Sequence, residues 1–486
     1  MSRLRKDLAG LERLSGEACL DALQLILPLP QLQPLLDALG RPALSCPVAS
    51  DLFVICFVVA MGLFASLSYR AVARRLLGFS GAGCIPARST LCMARQRLGA
   101  EPFRWLAQQV LRPLAGPAVA DAFYKGLRLL AIDGTTLAVF DSLANDIVFG
   151  RSKNQHGGSG FPQLRLVALC EAASHAILAF CLGPCRTSET VLATDILANL
   201  PANSLLLWDR HYFSFDHLVR VLRRGSHVLA RLSKTVKPRQ LRQLQDGSYL
   251  AEVRSGNRSE LGRNERLLVR LIHYRHKDPA YGPVNQEHRL VTTLLDAEKC
   301  PAVELVGLYH ERWEEELALD EVKTHQKQRP VLRSQTPEGV EQEVYGLVLA
   351  HWGVRRLMLQ AALQAKLPPR RISFTGALDV VRARLGEAKG KKGRQLKKWY
   401  EKVVEEAAQE RLPRRKTRNN PRVVKCPRQK WPAKRAARQQ PAQPTGPFEA
   451  GVVIISTAPG ELSATPGAAL SGFPPGPASA PPSGPH

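Results

Sequence analysis

Residues 308–326 read LYHERWEEELALDEVKTHQ. The stretch has no Pro or Gly and is rich in Leu, Glu and Lys, so it predicts a helix. Counted from Tyr309 at about 100° per residue, Arg312 falls at about −60°, Glu316 at about −20° and Lys323 at about −40°. These four side chains share one narrow stripe, with Glu311, Glu314, Glu315 and Glu321 towards the opposite side. Such a stripe suits an anionic ligand, together with whatever neutralises a buried carboxylate there. Periodicity alone favours an ordinary solvated charged helix, so the neighbouring stretches must decide.

Upstream, two apolar runs end in acids. RLLAID (128–133) leads straight into Gly134, and TTLAVF (135–140) continues as a strand, so Asp-Gly predicts a hairpin or a sharp bend. NSLLLWDRHYFS (203–214) reads as a buried strand ending at Asp209. Between them lie a strand pair, 164–172 and 176–183, and a helix, 188–200, capped by Ser188 or Thr187. FDHLVRVLRRG (215–225) is a helix and HVLARLS (227–233) a strand. This order predicts an α/β fold, a mixed sheet with helices on both faces. Residues 233–292 are polar and strand-like with Gly, Arg and Asn turns, which predicts a β-rich insertion. RLVTTLLD (289–296) returns to the core, and residues 341–363 form a long, largely apolar helix.

The ends differ from this centre. Residues 1–120 read as an N-terminal helical, DNA-binding domain. LFVICFVVAMGLFASL, preceded by Asp51, is apolar on all faces and belongs at the middle of a small bundle. YRAVARRLL (69–77), a glycine-rich turn and a helix over 89–98 follow, with Arg70, Arg74, Arg75, Arg88, Arg95 and Arg97 on them. The pair resembles a helix-turn-helix; a helical bundle with a basic surface fits as well. The central domain spans 121–386, with its insertion at 233–292. A basic segment covers 387–440, and the Pro-, Ala-, Gly- and Ser-rich stretch 441–486 is expected to be disordered.

Composition narrows the class of partner. The chain of 486 residues carries 68 Lys plus Arg against 42 Asp plus Glu, a formal net charge of +26. That excess asks for a polyanion, either nucleic acid or an anionic membrane surface. The longest apolar run, residues 52–65, suits a core helix better than a membrane span, and MSRLRKDLAGLERLSGE is too charged for a signal peptide. Nucleic acid is therefore the expected partner, with no membrane. The ten cysteines contain no C-x-x-C pair, which argues for free thiols and a reducing compartment; only Cys181 and Cys185 are spaced to pair.

Carboxylates at the ends of separate elements repel one another unless a cation neutralises them. Mg²⁺ takes one or two protein carboxylates plus substrate phosphate and water. Two such ions about 3.5–4 Å apart promote an in-line displacement at phosphorus without a covalent protein nucleophile. Asp133, Asp209 and Glu316, with a positive clamp for a DNA backbone, supply the residue types this chemistry needs.

On these residues the chain resembles the DDE transposases of bacterial insertion sequences, of the insertion-element-four type. LLAIDGT matches the strand that supplies that family's first acid, at Asp133, and LLLWDRHYFSF the second, at Asp209. Tyr309, Arg312, Glu316 and Lys323 match the signature Y-x₂-R-x₃-E-x₆-K at every spacing. The likeness covers most of residues 40–435, including ARSTLCMARQRLG and PRVVKCPRQKWP.

The resemblance implies an RNase H-like mixed-sheet core with a β-rich insertion, and Mg²⁺-dependent cleavage and strand transfer. Asp133, Asp209 and Glu316 would be both catalytic residues and ligands of two Mg²⁺ ions, with Mn²⁺ able to substitute. Arg312 and Lys323 would grip phosphates, one as a fork and the other as a point charge. Tyr309, Trp313 and Arg210 would also contact DNA. The implied partners are double-stranded DNA (terminal inverted repeats and target) and a second copy in a homodimer, in the bacterial cytoplasm at the nucleoid. The alternatives are a catalytically inactive, transposase-derived DNA-binding protein and a nuclease that never joins ends.

Two departures from the family pattern stand out. Residues 233–292 hold no Trp to stack a flipped base, leaving Tyr249, Tyr274 and Tyr281, or Trp313 elsewhere. His211 follows the second acid where a smaller residue is usual. Asp320, at about +20° on the helix, competes with Glu316 as third ligand on the residues alone.

Overall fold

The computed structural model describes Ile26 and residues 51–77, 85–119, 121–154, 157–257, 259–281, 283–284, 286–310, 313–413 and 445–456. The chain divides into two compact units. The first joins residues 1–196 to 312–414, and the second joins 197–311 to 415–486. Within the first unit the N-terminal helices pack with residues from beyond position 330.

In the first unit, α1 (Asp51–Leu63) is buried on nearly every side, as its all-apolar sequence requires. It is followed by α2 (Tyr69–Leu77), α3 (Arg88–Leu98) and α4 (Glu101–Val110). α1 lies against the long helix Pro337–Gln364. The approach is tight, since a Cβ at Gly62 would stand 2.1 Å from the Gly346 carbonyl oxygen. The groove-reading role suggested for α3 is at odds with Arg95. That guanidinium is buried and reaches Gln342 Oε1 at 3.0 Å and the Gly339 carbonyl at 2.8 Å. Arg95 thus braces the bundle, because burying a charge demands such partners. Arg70, Arg74, Arg75 and Arg88 remain exposed, and Arg97 pairs with Asp51 at 3.1 Å. The glycine-rich turn between α2 and α3 lies outside the described residues.

The unit's sheet runs β1 (Phe123–Tyr124), β2 (Leu127–Ala138), β5 (Gln163–Glu171), β6 (Ile177–Pro184), all antiparallel. A small hairpin, β3 (Lys153–Asn154) with β4 (Gly157–Gly158), and α5 (Leu143–Phe149) intervene. The hairpin or bend expected at Asp133-Gly134 is absent. β2 continues through it, with Asp133 opposite Ala168 and Gly134 opposite Val167. Gly134 is there for space: a Cβ on it would stand 2.5 Å from Cδ of Glu189, at the start of α6 (Glu189–Ala198). Glu189 is paired to Arg165 at 2.8 Å. Ser188 Oγ accepts from Val191 N at 3.3 Å, so the expected cap is present.

The second unit carries a mixed sheet. β7 (Ser204–Trp208) and β8 (His227–Arg231) are parallel, joined through α7 (Phe215–Arg223), as a parallel pair requires. β8 then pairs antiparallel with β12 (His288–Thr292). From β12 the ladder continues through β11 (Arg266–His276) and β10 (Tyr249–Arg254) to β9 (Arg239–Gln243), which places the expected β-rich segment in the same sheet. The helix α8 (Ala302–His310) follows β12. The expectation of disorder over 441–486 fails for residues 445–456. These form a short 3₁₀ turn, Phe448–Gly451, and β13 (Val452–Ile454), antiparallel to the end of β11. The apolar run VVIIS carries strand propensity that the surrounding composition conceals.

The remaining helices belong to the first unit: α9 (Trp313–Asp320), α10 (Pro337–Gln364), α11 (Phe374–Arg384) and α12 (Gly393–Ala407). The stretch 308–326 therefore begins in α8, whose helix starts six residues earlier than position 308, and ends in a π-helical segment, Glu321–Gln326. Residues 311–312 lie outside the described residues. Among the described residues, no helix is long and apolar enough to cross a membrane, and the described cysteines, Cys181 and Cys185 included, are free thiols.

Candidate active site

Asp133 stands where β2 leaves full burial: Leu129 to Ile132 are buried, whereas Asp133 to Thr136 are partly accessible. Its Oδ1 accepts from the Gly134 backbone N–H at 2.8 Å. Successive strand residues face opposite sides. Gly134 and Arg165, with Glu189 packed on them, therefore occupy the face of β2 away from Asp133, and Glu189 is excluded as its partner in a common site.

Asp209 has a similar local setting. It follows the fully buried β7 and caps the 3₁₀ turn Arg210–Tyr212, its Oδ1 accepting from Arg210 N at 2.6 Å. Arg210 and His211 are exposed on that turn. Behind the acid, Trp208 is completely buried, and its carbonyl accepts from the Tyr309 hydroxyl at 3.2 Å. Tyr309 is itself buried in α8, so its hydroxyl props the end of β7 instead of lying open to a ligand.

Glu316 is placed by its backbone in α9, which packs against β2 and β5 within the first unit. Its side chain and that of Trp313 lie outside the described residues, as does Arg312 entirely. The structure thus brings Asp133's strand and Glu316's helix together in one unit, and Asp209 and Tyr309 together in the other. Asp320 is engaged locally: it accepts from Thr324 Oγ1 at 2.7 Å and lies 3.3 Å from His325 Nε2. Those commitments weaken its case as a metal ligand.

The straight α-helical stripe does not extend to Lys323. A π-helical turn closes i to i+5, so each residue advances less around the axis than in an α-helix. Lys323 sits on this segment with its side chain exposed. The segment is held by a buried ionic cluster. Glu321 is buried and pairs with Arg355 of α10, and Arg355 Nε donates to its Oε2 at 2.9 Å. His351 Nε2 lies 3.0 Å from the same oxygen, and His175 Nδ1 lies 3.5 Å from Oε1. Burial opposes the charge on Glu321, but Arg355 and the two histidines outweigh it and hold the carboxyl well below its usual range. Burial lowers the pKa of His351. Gln326 closes the segment by donating to the carbonyls of Gly62 and Leu347 at 3.1 and 2.8 Å. The only sequence signal for this cluster was the helical count that set Glu321 apart from the stripe.

The donor chemistry suits a divalent cation of the hard class. Asp133 and Asp209 offer carboxylate oxygens, each with one oxygen oriented by the next backbone N–H, and no soft thiolate stands on the same turn. Elsewhere in the second unit a cavity of about 260 Å³ is lined by Phe213, Phe215, Lys237, Arg239 and Arg254, among others. It begins four residues after Asp209 and joins aromatic rings to cations.

Comparison with known proteins identifies the family. Residues 124–352 match the profile described as Transposase DDE domain, and residues 27–108 match Insertion element 4 transposase N-terminal. The chain is 31% identical over 353 residues to Transposase InsG for insertion sequence element IS4 of Escherichia coli, covering 71% of this chain and 78% of that protein. It is 36% identical over 140 residues to Putative transposase InsZ of Escherichia coli, covering 29% of this chain and 47% of that one. A cryo-EM structure of a piggyBac transposase synaptic complex with hairpin DNA aligns with 76% of this chain and 73% of its own, at 10% identity. Its TM-score is 0.35. With both family profiles matched, and with InsG matched over most of its length, the chain belongs to the DDE transposases of the insertion-element-four type, enzymes of RNase H-like fold that act on DNA with divalent metal ions.

Proposed function

We propose that this transposase performs cut-and-paste transposition, cleaving DNA at the ends of its element and joining the freed 3′ hydroxyls to a target. The observation that supports this reading best is the matched setting of Asp133 and Asp209. Asp133 lies within β2 and Asp209 directly after β7, each at the margin of full burial with one oxygen fixed by the following N–H. Asp133, Asp209 and Glu316 are the proposed ligands of two Mg²⁺ ions. When bound, such ions supply a nucleophile at neutral pH and neutralise charge developing at the phosphate.

The chain's own residues do the rest. Arg312 is the proposed bidentate phosphate contact, Lys323 and Arg210 are exposed point contacts, and Trp313 is an aromatic contact near the element's end. Tyr309 acts through Trp208 on the setting of Asp209. The excess of positive charge binds the DNA backbone, so affinity falls steeply with salt. A homodimer holding two ends, working at the bacterial nucleoid, completes the proposal.

The test is to incubate the purified chain with DNA carrying the ends that flank its gene, a target plasmid and Mg²⁺, and to size the products. Excised element joined to target is the expected result. Nicks that are never joined would support a nuclease instead, and binding without strand breaks would support an inactive derivative.

A further inference from the structure

Residues 445–456 return to the second unit after a stretch in which residues 414–444 lie outside the described residues. They dock on both β11 and α8. Lys277 N donates to the Gly451 carbonyl at 2.9 Å, and Ile455 N to the His273 carbonyl at 2.8 Å. Asp278 Oδ2 accepts from Thr445 N at 2.8 Å and from its hydroxyl at 2.9 Å. The ring of Phe448 stacks on His310, the last residue of α8, at 3.9 Å and 10°, and on His276 at 4.8 Å and 19°.

The groove is cut to fit this segment. A Cβ at Gly307 of α8 would lie 2.8 Å from the Glu449 carboxylate. A Cβ at Gly451 would lie 2.3 Å from the His276 ring. The His276 ring is packed, so the approach at Gly451 depends on glycine, whereas at Gly307 the Glu449 carboxylate is the end of a flexible side chain that could swing aside. The segment therefore bears on the end of α8, next to Tyr309. Tyr309 in turn bears on the carbonyl of Trp208, the residue before Asp209.

We propose that residues 445–456 form a positioning strap, which seats the end of α8 so that Tyr309 fixes the end of β7 and with it the carboxylate of Asp209. This rests on the reading of Asp209 as a catalytic acid. Displacement of a reacting group by an ångström through a remote change costs up to about a hundredfold in rate. A loose strap should therefore lower turnover and leave DNA capture alone.

The experiment uses the full chain with Gly451→Val, which blocks docking, Phe448→Ala, which removes the stacked ring, and Phe448→Tyr, which keeps it. Cleavage rate at saturating DNA, the DNA concentration for half-saturation, and backbone hydrogen exchange are measured for each. In the first two variants the saturated rate should fall about ten- to a hundredfold with half-saturation within about twofold of wild type. Exchange should quicken in peptides covering 204–212 and 302–310 but not 129–138, and Phe448→Tyr should restore both. Wild-type turnover in both disrupted variants would overturn the strap, as would exchange quickening evenly over both units. If the wild-type chain cleaves no DNA, the catalytic reading fails by itself. Exchange then decides the strap: local quickening upholds it, and unchanged exchange ends it.

Discussion

Asp133→Ala lowers metal-dependent cleavage and strand transfer by more than about a hundredfold while DNA binding persists or strengthens slightly. The expectation follows from the setting of the residue. Losing a proposed metal ligand removes charge compensation exactly where the displacement occurs, and even groups one step removed from a metal commonly cost ten- to a hundredfold, about 1.4 to 2.7 kcal/mol. DNA capture depends instead on the excess of cations, to which deleting one anion adds. The fold should survive, because β2 is paired with β5 on both sides of residue 133. Asp133→Asn sharpens the point. Its amide oxygen still accepts from Gly134 N, so a loss of cleavage in that variant, at unchanged melting temperature, separates metal binding from strand geometry. Turnover near the wild-type rate in both variants would remove Asp133 from the site.

Arg355→Met destabilises the first unit by about 3–5 kcal/mol, the usual result of leaving a buried carboxylate without its partner. At roughly 2–4 °C per kcal/mol this lowers the melting temperature by about 6–20 °C. Glu321 is the residue left uncompensated, held by Arg355 and the two histidines in the wild type. The pH dependence has a definite sign. The folded pKa of Glu321 lies below its unfolded value of 4.5, so its contribution is present in full above the unfolded value and fades as pH falls toward the folded one. His351, with a pKa lowered by burial, adds a loss in the same direction as pH drops through 6.5. Thermal melts of the wild type and variant, carried from pH 8 down to about pH 2.5, should converge as pH falls below 4.5. A constant gap across that range would mean that the cluster does not titrate with folding.

Much of the fold was legible because its signals are local and repetitive. Runs such as LRLVALCE and SLLLW read as buried strands, and the all-apolar run after Asp51 could only be a central helix. Three features were not legible, each for a reason visible in particular residues. Asp-Gly is a turn signal by propensity, but at 133–134 the glycine serves the approach of Glu189, a contact set by a helix some fifty residues later. Composition averaged over 441–486 hid the single apolar stretch, VVII, that finds a partner in β11. A count at 100° per residue has no means of sensing a π-helical turn, which arises here where Glu321 is drawn to Arg355 and Gln326 to α1.

The candidate site divides in the same way. Its acids were legible because strand ends and a spaced helical signature are sequence properties. What holds Asp209 was not: Tyr309 on the Trp208 carbonyl depends on a partner about a hundred residues away, and the inward turn of Arg95 to α10, which braces the bundle, on one still farther off. A tyrosine in a functional signature and an arginine on a basic helix both look like ligand contacts until their burial is known.

The central claim is that Asp133, Asp209 and Glu316 share divalent ions. Electron paramagnetic resonance titration with Mn²⁺ on the DNA-bound chain tests it most directly, with Asp133→Ala, Asp209→Ala and Glu316→Ala alongside. The account predicts two tightly held ions in the wild type and the loss of at least one in every variant. Wild-type Mn²⁺ occupancy in all three would contradict it.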